Sequence, residues 1–191
     1  MKVLIAASDK AELKGFGDYD KVVSGVGPIM AAAAVSKAIA ETKADAVLSV
    51  GSAGAVPGRL QIGDIASFSS VVSLDQDLTF YHLAFGSTLD SSRATVGALR
   101  LSCSGSGLVL ASSSSFVSGM SDELALLNAS ACDMECYGVA LAARLYSIPC
   151  LALKAITDIV GQPVTLGEYG FSLRSLRSLL AEKAEEMIRS L

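Results

Sequence analysis

Tryptophan is absent from the 191-residue chain, and His82 is its one histidine. A single imidazole excludes an H-E-x-x-H zinc site, and a serine triad would have to use His82. Charge is also scarce. Charged residues make up 18% of the chain, Lys plus Arg number 15 against 19 Asp plus Glu, and the net charge is −4. Phosphate backbones are bound by a basic face, and no Lys/Arg cluster is present, so nucleic acid is excluded as a partner. No apolar run reaches the roughly twenty residues of a membrane span. The uncharged stretch from Leu101 to Ser121 is too rich in serine to be one. The opening run Val3–Ala7 ends at Asp9-Lys10, short of the roughly seven or more apolar residues of a signal peptide. A cytoplasmic protein that does not associate with membranes is expected.

Other signatures are missing too. There is no Walker A sequence, no G-x-S-x-G elbow and no C-x-x-C pair. Gly25-Val26-Gly27 lacks the third glycine of a dinucleotide fingerprint, and Pro28 intervenes. Cys103, Cys132, Cys136 and Cys150 make no disulfide framework in a chain of this size. The four-residue spacing of Cys132 and Cys136, with Asp133 and Glu135 between and no histidine near, reads as buried reduced thiols rather than a metal site. No metal and no cofactor are expected, and a small-molecule ligand fits best.

What the chain does have is apolar material, 51% of its residues, enough for one core, and residues 1–191 are expected to form one domain. Short apolar runs read as strands at Lys2–Ala7, Lys21–Ser24, Ala46–Val50, Ile62–Val72, Leu108–Ser112 and Cys150–Ile156. Between them, helical patterns span Ile29–Thr42, Ser121–Leu127, Asp133–Tyr146 and Arg174–Leu191. Pro28 suits a helix start, where a missing N–H costs little. This alternation predicts an α/β fold: three α/β/α layers around a mixed, mostly parallel twisted sheet.

Ligands of open α/β sheets bind beyond the carboxyl ends of strands. That rule selects Ser8–Glu12, Gly51–Gly54, Ser113–Val117 and Thr157-Asp158, with the start of the Asp133–Tyr146 helix as a fifth place. Together they bring Glu12, Ser52, Glu135 and Asp158, carboxylates and a hydroxyl suited to acid–base hydrolysis. The same residue types also serve as helix caps and surface charges, so the pattern alone does not name a reaction.

Several motifs, in register along almost the whole chain, carry a resemblance. Ser24-Gly25-Val26-Gly27 runs into an alanine-rich helix. Val50-Gly51-Ser52-Ala53-Gly54 precedes Leu60-Gln61-Ile62-Gly63-Asp64-Ile65. Asp75-Gln76-Asp77-Leu78-Thr79 follows, and Asp133-Met134-Glu135 stands 22 residues ahead of Thr157-Asp158. The chain resembles the nucleoside phosphorylase and nucleosidase superfamily, within it the methylthioadenosine/S-adenosylhomocysteine nucleosidases. Gly25-Val26-Gly27-Pro28 and Ala55-Val56-Pro57-Gly58 are also similar to futalosine hydrolases, a sister group.

The resemblance implies a purine nucleoside as substrate and roles residue by residue. Glu12 matches the carboxylate that activates water, and Asp158 the acid that protonates purine N7. Ser52 matches the serine near ribose and water. Phe116 matches the aromatic stacked on the base, and Val117 the residue whose backbone bonds the base edge. Asp133, Met134 and Glu135 match the ribose-binding segment, with Asp133 standing where the nucleosidases usually have Glu. Glu168 or Tyr169 stands near the place of an aromatic that covers the base. The resemblance also implies a homodimer in which a neighbour's loop, here residues 75–85 with His82, completes the 5′ pocket.

Phosphorylases of this superfamily usually place an arginine just before the Gly-Ser turn and another in an early glycine loop. Here Leu48-Ser49-Val50-Gly51-Ser52 has no basic residue, and Ser8–Gly17 has lysines but no arginine. A phosphate dianion would lack bidentate partners, so water is expected as the nucleophile. A phosphorylase and a silent nucleoside-binding protein are the competing expectations.

Overall fold

The computed structural model describes residues 1–102 and 106–191. Cys103 lies outside them. The chain begins with β1 (Val3–Ala7), all five residues buried, flanked in parallel by β2 (Asp20–Val23) and β3 (Ala46–Ala55). Between these last two runs α1 (Pro28–Thr42), with Pro28 in its first turn as expected and a left-handed Lys43 (φ 57°) ending it. Next come β4 (Ile65–Ser67) and β5 (Ser70–Ser73), and then a 3₁₀ turn at Thr79–Tyr81. A small hairpin pairs β6 (Thr88–Leu89) with β7 (Thr95–Val96) apart from the main sheet. The chain then adds β8 (Leu99–Arg100), β9 (Val109–Ser112), α2 (Asp122–Leu126), β10 (Ala131–Asp133), α3 (Cys136–Leu145), β11 (Cys150–Ile159) and α4 (Leu166–Arg189).

Among the described residues, β2, β1, β3, β10, β9, β5 and β8 lie side by side in that order. β11 joins β3, and β4 joins β11. Five of these pairings are parallel, β1–β2, β1–β3, β3–β11, β9–β10 and β5–β9. Three are antiparallel, β3–β10, β4–β11 and β5–β8. The sheet is therefore mixed and mostly parallel, as the alternation of strands and helices predicts.

Side-chain alternation divides the core between the two faces. Cys150, Ala152 and Ile156 of β11 pack with Ala31, Val35 and Ile39 of α1 and Val139 and Ala143 of α3. Leu151, Leu153 and Ala155 face the other way, against Leu180, Ala181 and Ala184 of α4. These two helical layers and the sheet make the α/β/α sandwich.

The strand expected over Ile62–Val72 is two strands. β4 pairs with β11 while β5 pairs with β9, and the fully buried Phe68 anchors the step between them. β3 and β11 each run past their expected ends, because they stay paired with one another through Ala55 and Ile159. Residues 131–133, expected to lead into a helix, form the short strand β10, and α3 starts at Cys136. α4 begins at Leu166 rather than Arg174, where Thr165 and Glu168 make a reciprocal capping box. No helix among the described residues is long and apolar enough to cross a membrane.

Candidate active site

The carboxyl ends of β1, β3, β9, β10 and β11 open onto one cleft with about 600 Å³ of empty space. Its walls include Ser8, Val26, Ser52, Gly54, Phe116, Val117, Asp133, Met134, Glu135, Thr157 and Asp158. Glu12 stands directly behind Ser8 and Ser52, which hold it. The structure thus brings Glu12, Ser52, Phe116, Val117, Asp133, Met134, Glu135 and Asp158 to one place from five strand ends and the loops that follow them.

Glu12 is buried, with 3% exposure, and all its partners are visible donors. Oε2 accepts from Ser8 N at 2.9 Å and Ser8 Oγ at 2.6 Å. Oε1 accepts from Ser52 N at 3.1 Å and Ser52 Oγ at 3.3 Å. The Asp9 carboxylate, accepting from Ala11 N and Glu12 N, shapes the turn that returns Glu12 to the sheet. Gly51 allows the approach. Its φ is +140°, and a Cβ there would lie 2.8 Å from Glu12 Oε1.

Asp158 faces this group across the cleft. A register shift between Ile156 and Asp158 re-aims the end of β11, and Asp158 pairs in register with Gly54. A side chain at Gly54 would put its Cβ 2.6 Å from Asp158 Oδ2, so the second glycine of the Gly-Ser-Ala-Gly turn makes room for the acid. Thr157 Oγ1 donates to Asp158 Oδ1 at 2.8 Å. Asp158 is 5% exposed.

Glu135 lines the same cleft, partly buried, its Oε1 accepting from Gly27 N at 3.3 Å at the head of α1. Burial pushes its carboxyl up to about 7, Lys154 opposes the rise, and the negative charges of Asp133 and Glu12 add to it.

Asp133 lies in the cleft wall, but its side chain is fully buried and its oxygens are engaged within the protein. Oδ1 accepts from Ser112 Oγ, and Oδ2 accepts from Cys136 N at 3.0 Å and pairs with Lys154 Nζ at 2.8 Å. Ser112 Oγ in turn accepts from Tyr137 N at 2.9 Å. Asp133 and Ser112 therefore satisfy the first N–H groups of α3. Lys154 is 1% exposed. Burial works against its charge, yet Asp133 and Glu135 hold it above the ordinary lysine range.

Phe116 is 55% exposed on the opposite wall, and Val117 and Met134 are partly buried. The loop before Phe116 is tied to Asp75, whose Oδ1 accepts from Ser113 Oγ at 2.8 Å and Oδ2 from Ser114 N and Oγ at 2.6 and 2.7 Å. A neighbouring hollow is lined by Phe116, Val117, Asp158, Gln162, Pro163 and Val164. Glu168 is turned away into the α4 cap, and the Tyr169 side chain lies outside the described atoms. His82, exposed, follows Phe80 and Tyr81, which are 87% and 65% exposed.

Reading the sequence gives no role to Lys154 or Cys132, and none to Ser8 or Asp75 beyond their places in the segments Ser8–Glu12 and Asp75–Thr79. Lys154 leaves a signal, a lone charge inside the apolar run Cys150–Ile156. Ser8 and Asp75 stand in segments the sequence singles out, but their partners Glu12 and Ser113-Ser114 emerge only from the fold. Cys132, Cys136 and Cys150 are buried free thiols. Burial, with Asp133 and Asp158 beside it, pushes Cys132 up to about 12, so this cleft-lining thiol stays protonated and unreactive.

The phosphorylase superfamily model matches residues 21–189. A curated 5′-methylthioadenosine/S-adenosylhomocysteine nucleosidase from Actinobacillus succinogenes is 26% identical over 181 residues, covering 86% of this chain and 76% of the relative. The crystal structure of the Helicobacter pylori nucleosidase of that name superposes with a TM-score of 0.84 at 20% identity, covering 100% of this chain and 99% of the other. Futalosine hydrolase from the same organism superposes equally well, with a TM-score of 0.84, 20% identity and coverage of 100% and 98%. At that identity the structural likeness establishes the fold, and the family match extends over most of the chain. By sequence and by architecture, the chain belongs to the phosphorylase superfamily.

Proposed function

We propose that the protein is a purine nucleosidase that hydrolyses the N-glycosidic bond of 5′-methylthioadenosine, S-adenosylhomocysteine or both, releasing adenine. The carrying observation is the pairing across one cleft of Glu12, held by four hydrogen bonds from Ser8 and Ser52, with the buried Asp158. Glu12 orients a water and takes its proton as the oxygen attacks C1′. The C1′–N9 bond breaks, and its electron pair leaves with the purine. Asp158 delivers a proton to N7, which neutralises the leaving base. Glu135, when ionised, binds the ribose hydroxyls and stabilises the cationic sugar. Phe116 stacks on the base, the Val117 backbone bonds its edge, and Met134 packs under the ribose. Ser52 stands near ribose and water. Asp133 serves the site from beneath.

Charge supports water over phosphate. None of the cleft-lining residues among those described is a lysine or arginine, and Lys154 beneath them is already paired with Asp133. A dianion would meet Glu12, Glu135 and Asp158 without a bidentate partner.

We also propose a cytoplasmic homodimer, supported by the buried free thiols, which suit a reducing compartment, and by the exposed Phe80 and Tyr81.

Futalosine hydrolysis is the second reading, favoured by the equal superposition on that enzyme. The experiment offers methylthioadenosine, S-adenosylhomocysteine, futalosine and inosine to the purified protein and identifies the base. Adenine from the thio-nucleosides is expected. Hypoxanthine from futalosine, with no adenine, moves the assignment to the sister activity. Nucleoside binding without any base release makes the chain a silent binder.

A further inference from the structure

Lys154 is the one charged residue within Cys150–Ile156, the buried and otherwise apolar first part of β11. Taking an ammonium out of water costs several kcal/mol even after relaxation, and an apolar residue would fill the space at no such cost. Lys154 shares the parity of Ala152 and Ile156, so it faces the α1/α3 layer. There Asp133 gathers donors from three elements, Ser112 of β9, Cys136 N of α3 and Lys154 of β11. Met134 and Glu135 follow Asp133 directly in the chain, so this knot fixes where Glu135 enters the cleft.

The groups around Glu135 come from four directions. The charges of Lys154 on β11, Asp133 on β10 and Glu12 in the loop after β1 act on it, and the Gly27 N–H donates to it from the head of α1. Two of these are acids and oppose a negative charge on Glu135. Lys154 is the cation that counters them, and it lies outside the cleft lining.

We infer that Lys154 is a positioning residue of the reaction, which anchors the β10–α3 junction through Asp133 and, from beneath the cleft, keeps Glu135 in the ionised form that stabilises the cationic sugar. This rests on the nucleosidase reading for its catalytic consequence, and for its electrostatic one on the Lys154–Asp133 ion pair two residues before Glu135.

The test compares Lys154→Met, Lys154→Arg and the paired Asp133→Asn/Lys154→Met with the native protein. Adenine release is followed from pH 5 to 10. The acid limb of kcat/KM should move up by about one pH unit or more in Lys154→Met, since an opposite charge at close range holds a carboxyl down by about that much. Activity at pH 7 should then fall about tenfold and largely return at pH 9, which lost structure would not do. Lys154→Arg should keep the native limb. The paired variant, which leaves no unpaired buried charge, should fold as well as the native protein and show an intermediate limb. In parallel, the Glu135 carboxyl carbon is titrated by NMR in ¹³C-glutamate-labelled protein, its signal assigned through Glu135→Gln. This readout needs no turnover. If the native protein releases no base, the nucleosidase reading fails, while the titration still decides the electrostatic claim. An unmoved limb and an unmoved Glu135 titration in both Met variants, with only a lowered melting temperature, overturn the inference and leave a structural ion pair.

Discussion

At the scale of one residue, Glu135 links function to stability through pH. Its carboxyl rises from an ordinary 4.5 to about 7 because burial disfavours the charge. Between those values the folded protein holds a proton that the unfolded chain has released. The contribution to stability is therefore greatest below about pH 4.5 and is lost as pH rises toward 7, by roughly 2–3 kcal/mol. The active form lies at the other end, since the ionised carboxylate stabilises the sugar cation. Glu135→Gln should stabilise the protein above pH 7 by roughly 1–3 kcal/mol and flatten its pH dependence, while lowering kcat/KM. Urea unfolding at pH 5 and pH 8, beside adenine release, measures both. Equal stabilisation at the two pH values would show that Glu135 carries no such burden.

At the scale of elements, the site depends on α3 lying hard against the start of α1. A Cβ at Gly138 would stand 2.0 Å from the Pro28 carbonyl oxygen, so only glycine lets the helices approach this closely. That contact brings Gly27 N within reach of Glu135. Gly138→Ala should cost about 1–3 kcal/mol, as overpacking does, and should lower kcat/KM further than its stability loss explains, because Glu135 shifts. Denaturant unfolding and kinetics on the same sample separate the two effects. Strand ends were the most legible feature of the chain. Apolar runs close at Ala7, Val50 and Ile156, and the strand-end rule finds Glu12, the Gly51–Gly54 turn and Asp158 just beyond them. Where the sequence reading falls short, pairing partners decide the outcome. β10 is three residues long, too brief for any periodicity, and exists because β3 and β9 flank it. The split of β4 from β5 comes from their different neighbours, which no local pattern records. Lys154 was visible as an oddity, but its partner Asp133 is 21 residues away in sequence and reachable only through the sheet. Asp133 is the instructive case. The resemblance put it with the ribose ligands, and the fold commits its carboxylate to α3 and Lys154.

At the scale of the whole molecule, Phe116 in the cleft wall is half exposed, and other large apolar side chains are exposed as well. Phe80 and Tyr81, edge to face with ring centroids 5.3 Å apart, are both more than half exposed, as are Ile29 and Met30, and exposed apolar groups of this size can serve interaction surfaces. Sedimentation should find a dimer at micromolar concentration. On the proposed dimer, in which the loop of residues 75–85 completes a neighbour's 5′ pocket, Phe80→Asp should shift it toward monomer and raise KM. A fully active native monomer would remove the dimer from the proposal.

Hydrolysis is the claim on which the rest depends, and the fate of the oxygen tests it most directly. Turnover of methylthioadenosine in phosphate-free buffer made with H₂¹⁸O should release adenine and a sugar that carries ¹⁸O at C1. The cleft, with its carboxylates and no free cation among the described lining residues, predicts that result and no stimulation by added phosphate. Turnover only in the presence of phosphate, yielding a sugar 1-phosphate without the label, would contradict it.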